Sequence, residues 1–300
     1  MKNVLITGGT GLIGKHLSKK LRESGYNVSL LSRKPSNDDG FRVYKWDPES
    51  GKIDPEAISR ADYIIHLAGA GLGDSRWTEK RKKEIPDSRI KSAGLIFAKL
   101  KESGKRPEAF VSASGTGYYG SVTSERILAE TDDPGKDFTG EVCSRWEDAA
   151  GDIESLGIRT VILRTGIVLS DNGGALMRMA LPAKFGIGSP LGSGRQYVPW
   201  IHIDDICGIY IKAINDRLMT GVYNAAAPEH VSNSQFMRTV SEVMGRPFFF
   251  PAIPSFLFRI LYGEMSSILL QGTRVSSEKI ISSGYSFRYP DLRTALISLL

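Results

Sequence analysis

Apolar and polar positions along the first half of the chain follow two alternating periods. Asn3-Val4-Leu5-Ile6-Thr7 is a near-continuous apolar run, the pattern of a strand covered on both faces. It gives way to Ile13, Leu17 and Leu21 on one helical stripe, with Gly25 placed to stop the helix. Strand character returns at 27–32, 41–46, 62–67, 109–114 and 159–164, and helical periodicity fills 79–101 and 142–155. Pro86 is expected to break the longer helical stretch in two, because it lacks an N–H and its ring crowds the preceding turn. Strands alternating with helices in this way predict an α/β fold, a Rossmann-type doubly wound parallel sheet.

After Leu169 the pattern changes. Residues 173–194 are rich in Gly, Pro and Met, and Ile201-His202-Ile203 then leads into a helix that Asp204 or Asp205 is expected to cap. A short strand at 222–225 and a helix at 232–244 follow, and from Arg246 onward prolines, aromatics and short helices dominate. No internal repeat or low-complexity tract is present. The expected division is a nucleotide-binding domain of residues 1–169 plus about 199–226. A smaller, discontinuous C-terminal substrate lobe takes about 170–198 plus 227–300.

Composition narrows the class. At 41% hydrophobic and 24% charged, the 300 residues suit a soluble globular protein with a sizeable core, and disorder is excluded. Two cysteines, Cys143 and Cys207, rule out a disulfide scaffold and suit a reducing compartment. With no signal-peptide pattern and no apolar stretch long enough for a bilayer, a cytoplasmic protein without a membrane partner is expected. The four histidines form no ligand cluster, so no metal is expected. Half of the net charge of +6 comes from 74–91, which holds seven Lys/Arg against four Asp/Glu. Without a recognisable module or aromatic platform, that patch reads as a solvated helix face rather than a nucleic-acid site.

The chemistry concentrates at strand ends. Thr7-Gly8-Gly9-Thr10-Gly11-Leu12-Ile13-Gly14 joins the first strand to the first helix, and Gly8, Gly11 and Gly14 meet three needs of a dinucleotide turn. Those are a tight bend, close approach of a diphosphate, and helix–strand packing. The helix N-terminus supplies free N–H groups and a positive dipole end, so Gly8, Thr10, Gly11, Leu12 and Ile13 are expected to hold the diphosphate. At the end of the second strand an NAD enzyme carries a carboxylate for the ribose 2′-OH. Here Leu31-Ser32-Arg33-Lys34 stands instead, with no carboxylate before Asp38. Arg33 suits a 2′-phosphate through two charge-assisted hydrogen bonds, Ser32 adds a donor and Lys34 a point charge, so the expected cofactor is NADP(H). His66-Leu67-Ala68-Gly69 ends the fourth strand with small residues that let a cofactor lie on the backbone. His66 itself reads as a packed strand residue, while Trp46 either flanks the adenine or sits in the core.

These turns, with the Ile201-His202-Ile203-Asp204-Asp205 segment, resemble the extended short-chain dehydrogenase/reductases. The likeness tightens through Arg76-Trp77, Ser88-Arg89, Gly117-Tyr118-Tyr119-Gly120, Trp146-Glu147, Leu163-Arg164-Thr165-Gly166 and Pro190-Leu191-Gly192-Ser193-Gly194-Arg195-Gln196. Together with Gly263-Glu264-Met265, Leu270-Gln271-Gly272 and Gly284-Tyr285, they resemble the atypical epimerase-like family that carries a short C-terminal domain of unknown function. The resemblance spans essentially the whole chain. It implies a Rossmann-type fold, NADP(H), Thr165 beside the cofactor, and activity as a nucleoside-diphosphate-sugar epimerase. It also implies a Ser–Tyr–Lys proton relay, yet no Tyr in this chain is followed by Lys at the fourth position. Thr139 and Cys143 stand where the Tyr and Lys belong, and Val198 stands where related epimerases place a diphosphate-binding arginine.

The remaining candidates for proton transfer are Ser114, Tyr118 and Tyr119, with Arg76, Trp77, Arg195 and Gln196 expected around an unidentified small substrate. Cys143 reads as an inert helix cysteine and Cys207 as core. Two functions follow. One is an NADP(H)-dependent oxidoreductase or epimerase-like enzyme with a non-standard proton donor. The other is a catalytically weak or inactive NADP(H)-binding sensor. Oligomeric state is left open.

Overall fold

A computed structural model describes residues 1–34 and 40–300. Asp38 lies in the stretch outside the described residues.

The chain runs β1 (Asn3–Thr7), α1 (Leu12–Glu23), β2 (Asn27–Ser32), β3 (Arg42–Asp47), β4 (Lys52–Ile53), α2 (Pro55–Arg60) and β5 (Tyr63–His66). It continues with α3 (Glu79–Ser103), β6 (Ala109–Gly115), β7 (Ile127–Leu128), α4 (Phe138–Gly151), β8 (Thr160–Thr165) and β9 (Ile167–Leu169). Next come α5 (Gly174–Lys184), β10 (Trp200–His202), α6 (Ile203–Asn215), β11 (Gly221–Ala225), α7 (Asn233–Val243) and α8 (Ser255–Tyr262). The last elements are α9 (Ser267–Leu270), β12 (Arg274–Val275), α10 (Glu278–Ser282) and α11 (Leu292–Ile297).

Eight strands form one sheet in the order β11-β8-β6-β5-β1-β2-β3-β4, parallel except for the β3–β4 pair. The strand order reverses at β1, so a crevice opens beyond the carboxyl ends of β1 and β5. Both faces are covered, and alternate residues of one strand serve different layers. Val4 and Ile6 join Leu17 and Leu21 of α1 and Ile206, Ile209 and Tyr210 of α6. Leu5 joins Ile58 of α2, Ile96 and Leu100 of α3 and Ala150 of α4 on the other side. This two-sided burial explains the unbroken apolar runs in the central strands.

A third core holds the second lobe together. Leu176, Ala180 and Ala183 of α5 pack with Phe236, Met237 and Val240 of α7 and with Leu292, Ala295 and Leu296 of α11. The lobe is also threaded into the main body. Ile280 is buried in the same cluster as Val4 and Ile6, and β12 pairs in parallel with β7.

Two local expectations are corrected. The helix does not break at Pro86 but continues as α3 from Glu79 to Ser103. One hydrogen bond is forfeited there, and burial of Ile85, Pro86, Arg89 and Ser92 along the same side keeps the segment helical. Nor does an aspartate cap α6. His202 is the N-cap, its Nδ1 accepting the Asp204 N–H at 3.0 Å. Both aspartates sit in the first turn and serve the tertiary structure instead. Asp204 pairs with Lys20 at 2.7 Å and His16 at 2.9 Å. Asp205, fully buried, accepts the backbone N–H of Arg288 at 2.7 Å and of Tyr289 at 3.0 Å, and the Tyr285 hydroxyl at 3.1 Å.

Candidate functional site

The phosphate turn is built from backbone alone. Gly8 adopts φ +68°, and a Cβ there would lie 2.9 Å from the Leu67 carbonyl carbon, so the residue must be glycine for both conformation and space. At Gly14 a Cβ would come within 2.3 Å of the Gly8 oxygen, which fixes how closely α1 can follow the turn. Gly11 is different: a Cβ would meet only the Gly8 oxygen, at 3.2 Å. It is the N-cap of α1, no side chain caps the helix, and the first turn holds no acidic residue. The amides of Leu12 and Ile13 are therefore left for an external acceptor, and an anion such as a diphosphate fits them.

Thr7 locks the other wall. Its hydroxyl accepts the N–H of Leu67 and of Ala68, each at 3.1 Å, and lies 2.8 Å from His66 Nδ1. The far ring nitrogen of His66 meets the Ser92 hydroxyl at 3.2 Å. Burial, then the charge of Arg89, pushes His66 down to about 3, so it is a neutral strut that orders the Leu67–Gly69 backbone. A polar residue ending an apolar strand was the signal for Thr7, though the sequence did not reveal its partner.

Ser32, Arg33 and Lys34 sit at the carboxyl end of β2, beside β1. Arg33 and Lys34 are exposed, and the Ser32 hydroxyl accepts the Lys34 N–H at 3.2 Å while donating to the Lys34 carbonyl at 2.9 Å. Trp46 lies in the core with Leu5, Leu31 and Tyr44. Thr165 ends β8 opposite Gly115 and Ala225, on the same edge of the sheet. Thr10 is exposed on the turn. Leu12 lies under Gly174 at the start of α5, where a Cβ would approach its methyl to 2.9 Å, so the second lobe reaches the phosphate turn directly.

The proton-transfer candidates converge on one buried ion pair. Ser114 Oγ donates to Glu147 Oε1 at 2.7 Å, and Glu147 grips Arg164 with two hydrogen bonds of 2.8 Å. Burial opposes the charge on Arg164, but the Glu147 carboxylate overcomes it and raises its pKa. Arg164 Nη1 donates to Tyr119 Oη at 3.0 Å, and that oxygen also lies 2.7 Å from Asn224 Oδ1 and 3.0 Å from the Ala129 carbonyl. Tyr119 is buried, which pushes its pKa up to about 12. Tyr118 is half-buried, with the Arg164 guanidinium 3.3 Å from its ring centre; burial raises its pKa and Arg164 works against the rise. Thr139 donates to Asp137 at 2.9 Å, and burial pushes the Cys143 thiol up to about 12, leaving it neutral.

A cleft of about 750 Å³ lies between the two lobes, lined in part by Trp77, Ser121, Phe138, Thr139, Arg259 and Gln271. Trp77 is fixed by its indole N–H on the Leu72 carbonyl at 2.9 Å and by an edge contact with Phe138. Arg76 packs against Gly263 at the cleft rim, where a Cβ would lie 2.9 Å from its Nε. The other two substrate candidates are placed differently. Arg195 is exposed, and Gln196 is buried, donating to the Leu191 and Leu269 carbonyls at 2.9 and 3.0 Å. Arg259 escaped the sequence reading because α8 looks merely greasy. Its cleft position follows from the packing of the C-terminal lobe.

The sheet and its glycine turn define a class: a Rossmann-type nucleotide-binding protein with a second, smaller lobe. Residues 4–226 match the NAD dependent epimerase/dehydratase family, and residues 253–299 match a domain of unknown function, DUF1731. The chain belongs to that epimerase family. It is 36% identical over 299 residues to the epimerase family protein SDR39U1 of Mus musculus, covering 98% of each chain. Identity to the epimerase family protein YfhF of Bacillus subtilis is 34% over 300 residues, covering 99% of this chain and 98% of the relative. The crystal structure of human SDR39U1 (isoform 2) with NADPH superposes with a TM-score of 0.87 at 34% identity, covering 99% of this chain and 98% of that one.

Proposed function

We propose that this chain binds NADP(H) across the β1–β5 crevice and carries out redox chemistry on a small carbonyl or sugar-nucleotide substrate in the interlobe cleft. The observation that carries the reading is the uncapped N-terminus of α1 over a turn that needs glycine at Gly8 and Gly14. The exposed Arg33 at the end of β2, with no carboxylate preceding it on that strand, supports the phosphorylated dinucleotide. A relative of 34% identity that was solved with NADPH supports it further. When bound, the nicotinamide supplies hydride transfer. The residues of this chain bind and orient: Leu12 and Ile13 amides for the diphosphate, Leu67–Gly69 as a flat backbone wall, Trp77 and Arg259 around the substrate.

For the proton we favour Tyr118. Ser114 is committed to Glu147 and Tyr119 to Asn224 and Arg164, whereas Arg164 lies across the Tyr118 ring and favours its phenolate. The test is a fluorescence titration with NADPH and NADH on wild type and Arg33→Glu. Wild type is expected to prefer NADPH and the variant to lose that preference; equal binding of both by wild type refutes the cofactor reading. Turnover of a carbonyl substrate by wild type that survives Tyr118→Phe refutes the donor.

A second reading, an NADP(H)-binding sensor without turnover, draws on the relay positions themselves. Thr139 is tied to Asp137 and Cys143 is neutral, so neither supplies an acid or a cation. Tight binding with no NADPH oxidation across a carbonyl panel would favour it.

A further inference from the structure

Arg89 of α3 is buried, only 6% exposed, and no carboxylate lies within ion-pair distance of it among the described residues. Its Nη1 donates to the carbonyls of Ala70 and Ile85 at 2.8 and 2.9 Å, while Nε is buried with no hydrogen-bond partner among the described residues. The guanidinium lies 4.6 Å above the Trp146 ring of α4 and against the Gly69 backbone, where a Cβ would come within 3.0 Å of its Cζ. It is thus wedged behind the turn that ends β5, on the side of α4 that carries Cys143.

The surrounding groups do not balance its charge. Arg81 is paired with Glu84 at 2.9 Å and Asp74 at 3.4 Å, so Asp74 acts on Arg89 only from a distance and against the opposing charge of Arg81. Glu147 is spent on Arg164. Cys143 and His66 are both neutral near pH 7, because burial holds the thiol up at about 12 and the imidazole down at about 3. Burial lowers Arg89 itself only to about 10, so it stays protonated. A buried, uncompensated cation is costly, and it projects its field through low-dielectric protein toward the crevice.

We propose that Arg89 makes this site selective for the reduced, uncharged nicotinamide over the oxidised, cationic one, an inference that rests on the NADP(H) reading above. The two cofactor forms carry the same phosphates and differ by the positive charge on the ring. Arg89 therefore repels one form and tolerates the other. At an effective dielectric of about 20, unit charges on the order of 10 Å apart discriminate by roughly tenfold.

Dissociation constants for NADPH and NADP+ are measured by calorimetry on wild type, Arg89→Gln and Arg89→Lys. Wild type is expected to hold NADPH about tenfold or more tighter. Arg89→Gln is expected to bring the two constants within about threefold, chiefly by tightening NADP+ relative to NADPH, and Arg89→Lys to keep the preference. A wild-type ratio that persists in Arg89→Gln overturns the proposal, as does wild type holding both forms equally, and the latter result stands even if Arg89→Gln does not fold. Failure of wild type to bind either form would overturn the NADP(H) reading itself and is recognisable as such.

Discussion

Replacing Gly11 and Gly14 by alanine, one at a time, separates ligand binding from packing within a single turn. At Gly14 the new methyl would lie 2.3 Å from the Gly8 oxygen and 2.6 Å from the Gly9 Cα, and both are backbone atoms that no rotamer change can move. Overpacking of this kind costs about 1–3 kcal/mol, and a backbone clash belongs at the upper end, about 2–3 kcal/mol. At roughly 1.5–2 °C per kcal/mol for a chain of this size, the melting temperature should fall by about 3–6 °C. At Gly11 the methyl meets one atom at 3.2 Å, and the residue already has φ −78°. Loss of unfolded-state freedom offsets the weaker cap, so stability should change by less than about 1 kcal/mol. That methyl is nevertheless added at the N-cap, beside the α1 amides that no side chain caps. Losing one charge-assisted hydrogen bond to a diphosphate is worth about 1.5–3 kcal/mol, a Kd roughly 10- to 150-fold higher. Thermal melts and NADPH titrations on both variants make the comparison. If Gly11→Ala binds NADPH within about threefold of wild type, the α1 terminus does not hold the diphosphate.

Three further outcomes follow from buried polar groups. Glu147→Ala strands the Arg164 charge in the interior and should cost about 3–5 kcal/mol in urea unfolding; Glu147→Leu combined with Arg164→Met should recover more than half of that, and a neutral single variant would contradict the buried pair. Asp205→Ala removes the acceptor for the Arg288 and Tyr289 amides and the Tyr285 hydroxyl; a loss of roughly 3–5 kcal/mol and faster proteolysis between 284 and 291 are expected, and unchanged cleavage would refute its role as the bolt of the C-terminal lobe. Burial holds His66 at about 3 and His202 at about 4, below the ordinary 6.5, so both are neutral in the fold. Unfolded histidines protonate first as pH falls, and stability is therefore complete above pH 6.5 and lost toward pH 4, by up to about 1.4 kcal/mol per pH unit for each. The urea midpoint should drop between pH 7 and 5, less steeply in His202→Asn, which keeps a capping side chain; a flat midpoint over that range would refute the assignment.

Family membership does not settle the chemistry. The relay positions carry Thr139 and Cys143, both buried, and both engaged in or neutralised by their surroundings. What stands near them instead is a set of arginines. Arg164 is matched by a carboxylate and Arg89 is not, and that asymmetry makes Arg89 the more informative position to change.

The sequence by itself determined the sheet and the phosphate turn, because both are local. Apolar runs and helical stripes set β1, β2, β6 and α1 within a residue or so. The glycine spacing mattered through backbone conformation and the space left by an absent Cβ, which neighbours in sequence largely dictate. Pro86 and the α6 cap went otherwise because tertiary burial outweighed one lost hydrogen bond, and because Asp204 found Lys20 and His16 on α1 while Asp205 found the amides of Arg288 and Tyr289 near the end of the chain. The interlobe cleft, the Ser114–Glu147–Arg164–Tyr119 chain and the unbalanced charge of Arg89 were decided only in three dimensions. Each depends on which side chains meet across elements far apart in sequence, and charge compensation can be counted only once those neighbours are known.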